Sequence, residues 1–165
     1  MTNNGILRRL RYVFDFDDSK MIEIFAHADR VVTRAEICNW LKKDDEPSFE
    51  ACPDVELASF LNGLIIEKRG KSEPRTPEAV LTNNIILTKL KIALALKSDD
   101  IMAILGLAGY RMSAHELTAL HRKPGHKHFR KCQDQMLRNF LHGLQLKYRP
   151  SDAVLPTQAA IDENV

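Results

Sequence analysis

The chain has 165 residues, 44% of them hydrophobic and 28% charged, with a formal net charge of +2. That length can bury a sizeable core as one ordinary domain or two small ones, and the composition excludes disordered and fibrous classes. No run approaches the roughly 20 apolar residues of a membrane span. The N-terminal MTNNGILRRLRY lacks the apolar stretch of an export signal, and three cysteines without paired spacing point to the reducing cytoplasm and away from a disulfide framework.

In chain order, Ile6, Leu7, Leu10, Val13 and Phe14 recur at i, i+1, i+4, i+7 and i+8, the spacing of one buried helical face. A polar start, Asp17-Asp18-Ser19, precedes a second helix that turns Met21, Ile24, Phe25 and Ala28 inward. Thr33 and Glu36 fit the S/T-x-x-E capping box that opens a third helix. Trp40, the sole tryptophan, ends that helix and is expected in the core. LKKDDEPSFEAC (41–52) reads as a loop. A fourth helix is predicted from about 53 to 69, with Leu57, Phe60, Leu61 and Leu64 on one stripe. GKSEPRTPEAVLT (70–82) combines a glycine, two prolines and mixed charge, as a linker should.

The series then repeats. Residues 3–69 laid over 83–149 at a constant offset of 80, without a gap, give 18 identities in 67 positions. NNGILRRLRYVFDF stands over NNIILTKLKIALAL, and FEACPDVELASFLNGL over FRKCQDQMLRNFLHGL. Ile86, Leu87, Leu90, Ala93 and Leu94 rebuild the first face, and Ile101, Ile104, Leu105 and Ala108 the second. Ser113 and Glu116 repeat the capping box. Gly63 and Gly143 recur inside the fourth helix at a cost of roughly 1 kcal/mol against alanine, which suits close contact between helices. With no convincing period-two alternation, the expected class is all-α: a tandem duplication of a four-helix unit, packed about a pseudo-twofold axis. The expected division is copy 1 at 1–69, linker at 70–82, copy 2 at 83–149 and an unstructured tail at 150–165.

Counting charge by copy changes the picture. Residues 3–69 hold 10 Lys/Arg against 13 Asp/Glu, a net of −3; residues 83–149 hold 12 against 4, a net of +8. Such asymmetry suggests an anionic partner for the basic half. It is greatest in HRKPGHKHFRKC (121–132), whose counterpart in copy 1 is the acidic LKKDDEPSFEAC. Phe129 and Cys132 are matched by Phe49 and Cys52, and are expected to point into the core.

A zinc site needs three or four converging N, S or O ligands. Here His121, His126 and His128 lack a neighbouring carboxylate and are crowded by cations, so neither a metal nor any other cofactor is expected. Nucleic acid is the better match: Arg122, Lys123, Lys127, Arg130 and Lys131 can reach phosphates, with His126 and His128 as further donors. Lys89, Lys91, Arg138, Lys147 and Arg149 add charge to the same copy. The second and third helices of copy 2, with Gly109 between them, sit about as a helix-turn-helix pair would, without its usual spacing of small residues. No phosphate-binding glycine loop, G-x-S-x-G or nucleophile with an identifiable base is present, so no enzyme is expected.

The NN-x-I-L-x-(R/K)-L-(R/K) start of each copy, the central RKPGHKHFRKC and the closing LRNFLHGLQLKYR resemble the YehS-like family of bacterial proteins, over about residues 1–150. The resemblance implies a cytoplasmic, duplicated helical domain of unknown function. It supplies no catalytic residues. The expected function is therefore a non-catalytic binding module whose basic copy meets nucleic acid. An acidic protein partner is the alternative, including self-association of acidic copy 1 with basic copy 2 in a homo-oligomer.

Overall fold

The computed structural model describes residues 1–153, which form eight α-helices, a terminal 3₁₀ turn and no strand. The helices are α1 (Asn3–Phe14), α2 (Asp18–His27), α3 (Arg34–Leu41) and α4 (Asp54–Arg69) in the first copy. The second holds α5 (Asn83–Ala93), α6 (Ser98–Leu107), α7 (Ala114–Leu120) and α8 (Asp134–Tyr148). The duplicated all-α reading is thus borne out, helix for helix.

Matching starts and stops follow from matching chemistry. Thr2 and Thr82 accept hydrogen bonds from the amides of Gly5 and Ile85 at the heads of α1 and α5. Thr33 and Glu36 form the complete capping box at α3, whereas Ser113 accepts from the Glu116 amide and its hydroxyl, not its backbone, meets the Glu116 carboxylate. After α1 and α5 the chain turns through a left-handed residue, Asp15 (φ 55°) or Ala95 (φ 53°). After α2 and α6 it does so through Asp29 (φ 59°) or Gly109 (φ 75°). The two copies therefore share these left-handed turns after the first and second helices.

Packing joins the copies into one body. Within each copy the fourth helix lies against the second, α4 on α2 and α8 on α6. Between copies α4 packs on α5 and α1 on α8. Exchanging the copies maps each pair onto the other, so the arrangement has the expected pseudo-twofold relation, with α1, α4, α5 and α8 at the centre. Leu7, Leu10, Phe60 and Leu64 of copy 1 and Leu87, Leu90, Phe140 and Leu144 of copy 2 are fully buried in a single hydrophobic cluster. Each such side chain contributes about 1.5–3 kcal/mol. Trp40 lies in the same cluster, as expected.

The joining segments obey the same relation. The Leu81 amide donates to Asp54 at 2.8 Å, and the ammonium of Met1, 80 positions earlier, meets Asp134 at 3.2 Å. The linker is bound to the helices it connects: Glu78 forms an ion pair with buried Lys89 on α5 at 3.0 Å, and the Arg75 carbonyl accepts from Asn62 on α4 at 3.3 Å. The expectation of an unstructured tail from 150 is corrected at its start. Pro150–Ala153 form the 3₁₀ turn, held by Asp152, which accepts from Tyr12 at 2.8 Å and from Gln145 at 2.9 Å. The remainder of that tail, 154–165, lies outside the described residues.

Candidate functional site

The basic loop is built from the asparagine pair that opens each copy. Asn84, buried at the head of α5, donates to the carbonyls of Leu120 at 2.9 Å and Arg130 at 2.8 Å and accepts from the Cys132 amide at 2.9 Å. Beside it, Asn83 donates to the Cys132 carbonyl at 3.1 Å and to Asp134 at 2.7 Å. In copy 1, Asn4 holds Trp40, Glu50 and Cys52 in the same way, and Asn3 holds Cys52 and Asp54. These two side chains supply partners to main-chain groups that no helix or strand satisfies.

Inside the loop the pattern again matches. The amides of His126 and Phe129 donate to the carbonyls of Lys123 and His126, and Arg130 closes onto Ala119. Glu46, Phe49 and Glu50 make the corresponding bonds in copy 1. One local departure is Ser48, left-handed at φ 67°, whose counterpart His128 is not. An acidic and a basic sequence thus fill one hydrogen-bonding frame.

Lys123, His126, Lys127, His128, Arg130 and Lys131 are exposed on this frame, and Arg122 is half-buried. Arg130 reaches Glu116 of α7 at 3.8 Å with most of its side chain in solvent. The rings of His126 and His128 lie 5.6 Å apart, and His126 Nδ1 accepts from the His128 amide at 3.0 Å. A neutral imidazole has one acceptor nitrogen. With Nδ1 so engaged, the 3.3 Å approach of Arg122 Nη1 to His126 Nε2 is a close contact of two donors. His121 stands apart from both. It is half-buried with Nδ1 at 3.0 Å from the Thr88 hydroxyl, and burial together with the charge of Lys91 pushes its pKa down to about 4. The three histidines do not converge.

Several sequence expectations are revised. Lys89 is withdrawn into the α4–α5 interface, where it donates to Asn62 and pairs with Glu78, so it leaves the basic surface. Arg149 lies 4.0 Å above the Tyr12 ring and pairs with Asp15 at 3.1 Å. Phe129 and Phe49 are half-buried and outside the core cluster. Cys132 and Cys52 are buried, with burial pushing their thiols up to about 11 and about 12. The exposed positions of α7, Ala114, His115 and Thr118, carry no Lys or Arg, so the positive charge lies on the loop and not on a recognition helix.

One group was missed altogether. Glu23 and His27 on α2 face Glu67 on α4. The i, i+4 spacing of the first two was legible in the sequence; their meeting with a residue 40 positions farther on was not.

Fold and loop together define a class: a duplicated, all-helical protein whose two copies present one loop frame with opposite charge. The chain belongs to the family described as protein of unknown function DUF1456, whose model matches residues 3–70 and 83–149, one match to each copy. It is 49% identical over 147 residues to "Uncharacterized protein YehS" of Escherichia coli (strain K12), covering 87% of this chain and 94% of that protein. The resemblance read from the motifs is borne out. No solved structure matches the chain. Among the described residues no helix is long and apolar enough to cross a membrane.

Proposed function

We propose that the protein is a non-catalytic binding module whose second copy presents the loop at 122–131 to nucleic acid. The observation that carries this reading is the pair of matched loops. The frame held by Asn4 tolerates two lysines and four acids, so the five cations on the frame held by Asn84 answer a need other than folding. Lys123, Lys127 and Lys131 are exposed and make no ion pair among the described residues, which leaves them available to phosphates.

Titration of a mixed pool of short single- and double-stranded nucleic acids against salt tests the reading. Each phosphate contact steepens the fall of log K with log salt by about 0.9 on duplex DNA and about 0.7 on single strands. Changing Lys127, Arg130 and Lys131 to alanine should flatten that slope by about 2–3. Absence of binding at low salt refutes the reading.

The complementary charge of two loops in one frame favours a second reading, self-association through the acidic loop of one chain and the basic loop of another. Light scattering across concentration and salt decides it, and a monomer under all conditions removes it.

A further inference from the structure

The structure assigns a second site to copy 1: we infer that Glu23, His27 and Glu67 form a binding site for a divalent first-row transition cation such as Zn²⁺. Glu23 and His27 project from one face of α2, four residues apart, and Glu67 meets them from α4. One ligand atom from each lies within 4.8 Å of the other two, with His27 Nε2 at 2.8 Å from Glu67 Oε2 and 4.0 Å from Glu23 Oε1. Tetrahedral bonds of about 2.1 Å separate ligand atoms by about 3.4 Å, so shifts of about 1 Å bring the three onto one ion. One imidazole and two carboxylates suit a borderline cation and leave a fourth place for water.

One observation favours a ligand over a plain ion-pair cluster. Copy 2 has Ala103, Leu107 and Lys147 at these positions, although α6 and α8 pack as α2 and α4 do. The helix pair does not need the cluster. The competitor is Lys20, whose ammonium bridges both carboxylates, at 2.8 Å from Glu67 and 3.0 Å from Glu23, and which a divalent ion must displace. His27 also lines a cavity of about 300 Å³ bordered by Asn62, Lys71 and Arg75.

The test is calorimetric titration of ZnCl₂ into the full chain, purified without a histidine tag and stripped with chelator. One Zn²⁺ per chain at micromolar or tighter affinity is expected, with a rise in Tm. His27→Ala and Glu67→Gln should each weaken binding at least tenfold, while Lys20→Met, which removes the competing ammonium, should tighten it severalfold. A double change of His126 and His128 to alanine should leave stoichiometry and affinity unchanged. The inference is overturned if the wild-type chain binds no Zn²⁺ at 100 µM, if His27→Ala binds as the wild type does, if Lys20→Met fails to tighten binding, or if binding disappears with the loop histidines. Circular dichroism on each variant separates loss of ligand from loss of fold.

Discussion

Gly63 of α4 faces the main-chain carbonyl of Ile24 on α2 so closely that a Cβ there would stand 1.8 Å from its oxygen; Gly143 stands to Ile104 in the same way, at 2.1 Å. Both neighbours are backbone, so relief requires the helices to move apart. Gly63→Ala and Gly143→Ala should each cost about 2–4 kcal/mol despite the better helix propensity of alanine, lowering the urea midpoint. An unchanged midpoint for either variant contradicts the close approach.

Asn84→Ala removes three hydrogen bonds and leaves the Leu120 and Arg130 carbonyls and the Cys132 amide without their partner. The expected loss is about 3 kcal/mol, read as a fall in Tm of about 6–12 °C. Asn4→Ala should cost a similar amount. Only Asn84→Ala should also weaken binding of an anionic partner, because only its loop carries a net positive charge. Hydrogen exchange at the Cys132 amide should quicken in the same variant.

Transplanting residues 42–51 into positions 122–131 tests the loop without disturbing the frame. The chimera should melt within about 3 °C of the parent, since the bonds that define the loop recur in both copies. Its affinity for nucleic acid should vanish. A chimera that binds as the parent does places the contact surface elsewhere.

His121 makes the protein acid-sensitive in a window set by its own shift. Its folded-state pKa of about 4 lies below the ordinary value of 6.5. Between those values the unfolded chain takes a proton that the folded chain refuses, so stability falls as pH drops from 6.5 to 4 and this group has no further effect below. Partial solvent access reduces the effect to about 1–2 kcal/mol. Glu36 and Glu67, whose pKa values are lowered by the hydrogen bond from the Thr33 backbone and by Lys20, also lose stabilising contacts toward acid pH. His121→Leu, which installs the residue found at position 41, isolates the histidine: its urea midpoint should decline less steeply from pH 7 to pH 4.5.

The fold was largely legible because helical periodicity is local and the offset of 80 let each copy vouch for the other. Thr33, Trp40, Gly63 and Gly143 are in the roles their positions implied. What failed was non-local. Lys89 reads as one more surface cation until Glu78 and Asn62 are brought around it, and Arg149 until Tyr12 and Asp15 are. The Asn3-Asn4 and Asn83-Asn84 pairs stood out as a motif, yet nothing in the sequence says that they hold a loop nearly fifty residues downstream. The charge contrast of the two loops was visible at once; that one set of main-chain hydrogen bonds frames both was not.

The exchange of contacts between α1 and α8 and between α4 and α5 bears on how such a chain could arise. Each half is completed by the other, so a single unit of this kind would have to find a second copy of itself before its core closed. A homodimer built that way must display the same loop twice. Joining the two units through residues 70–82 lifts that constraint, and one gene can then carry an acid face and a base face in a single folded body.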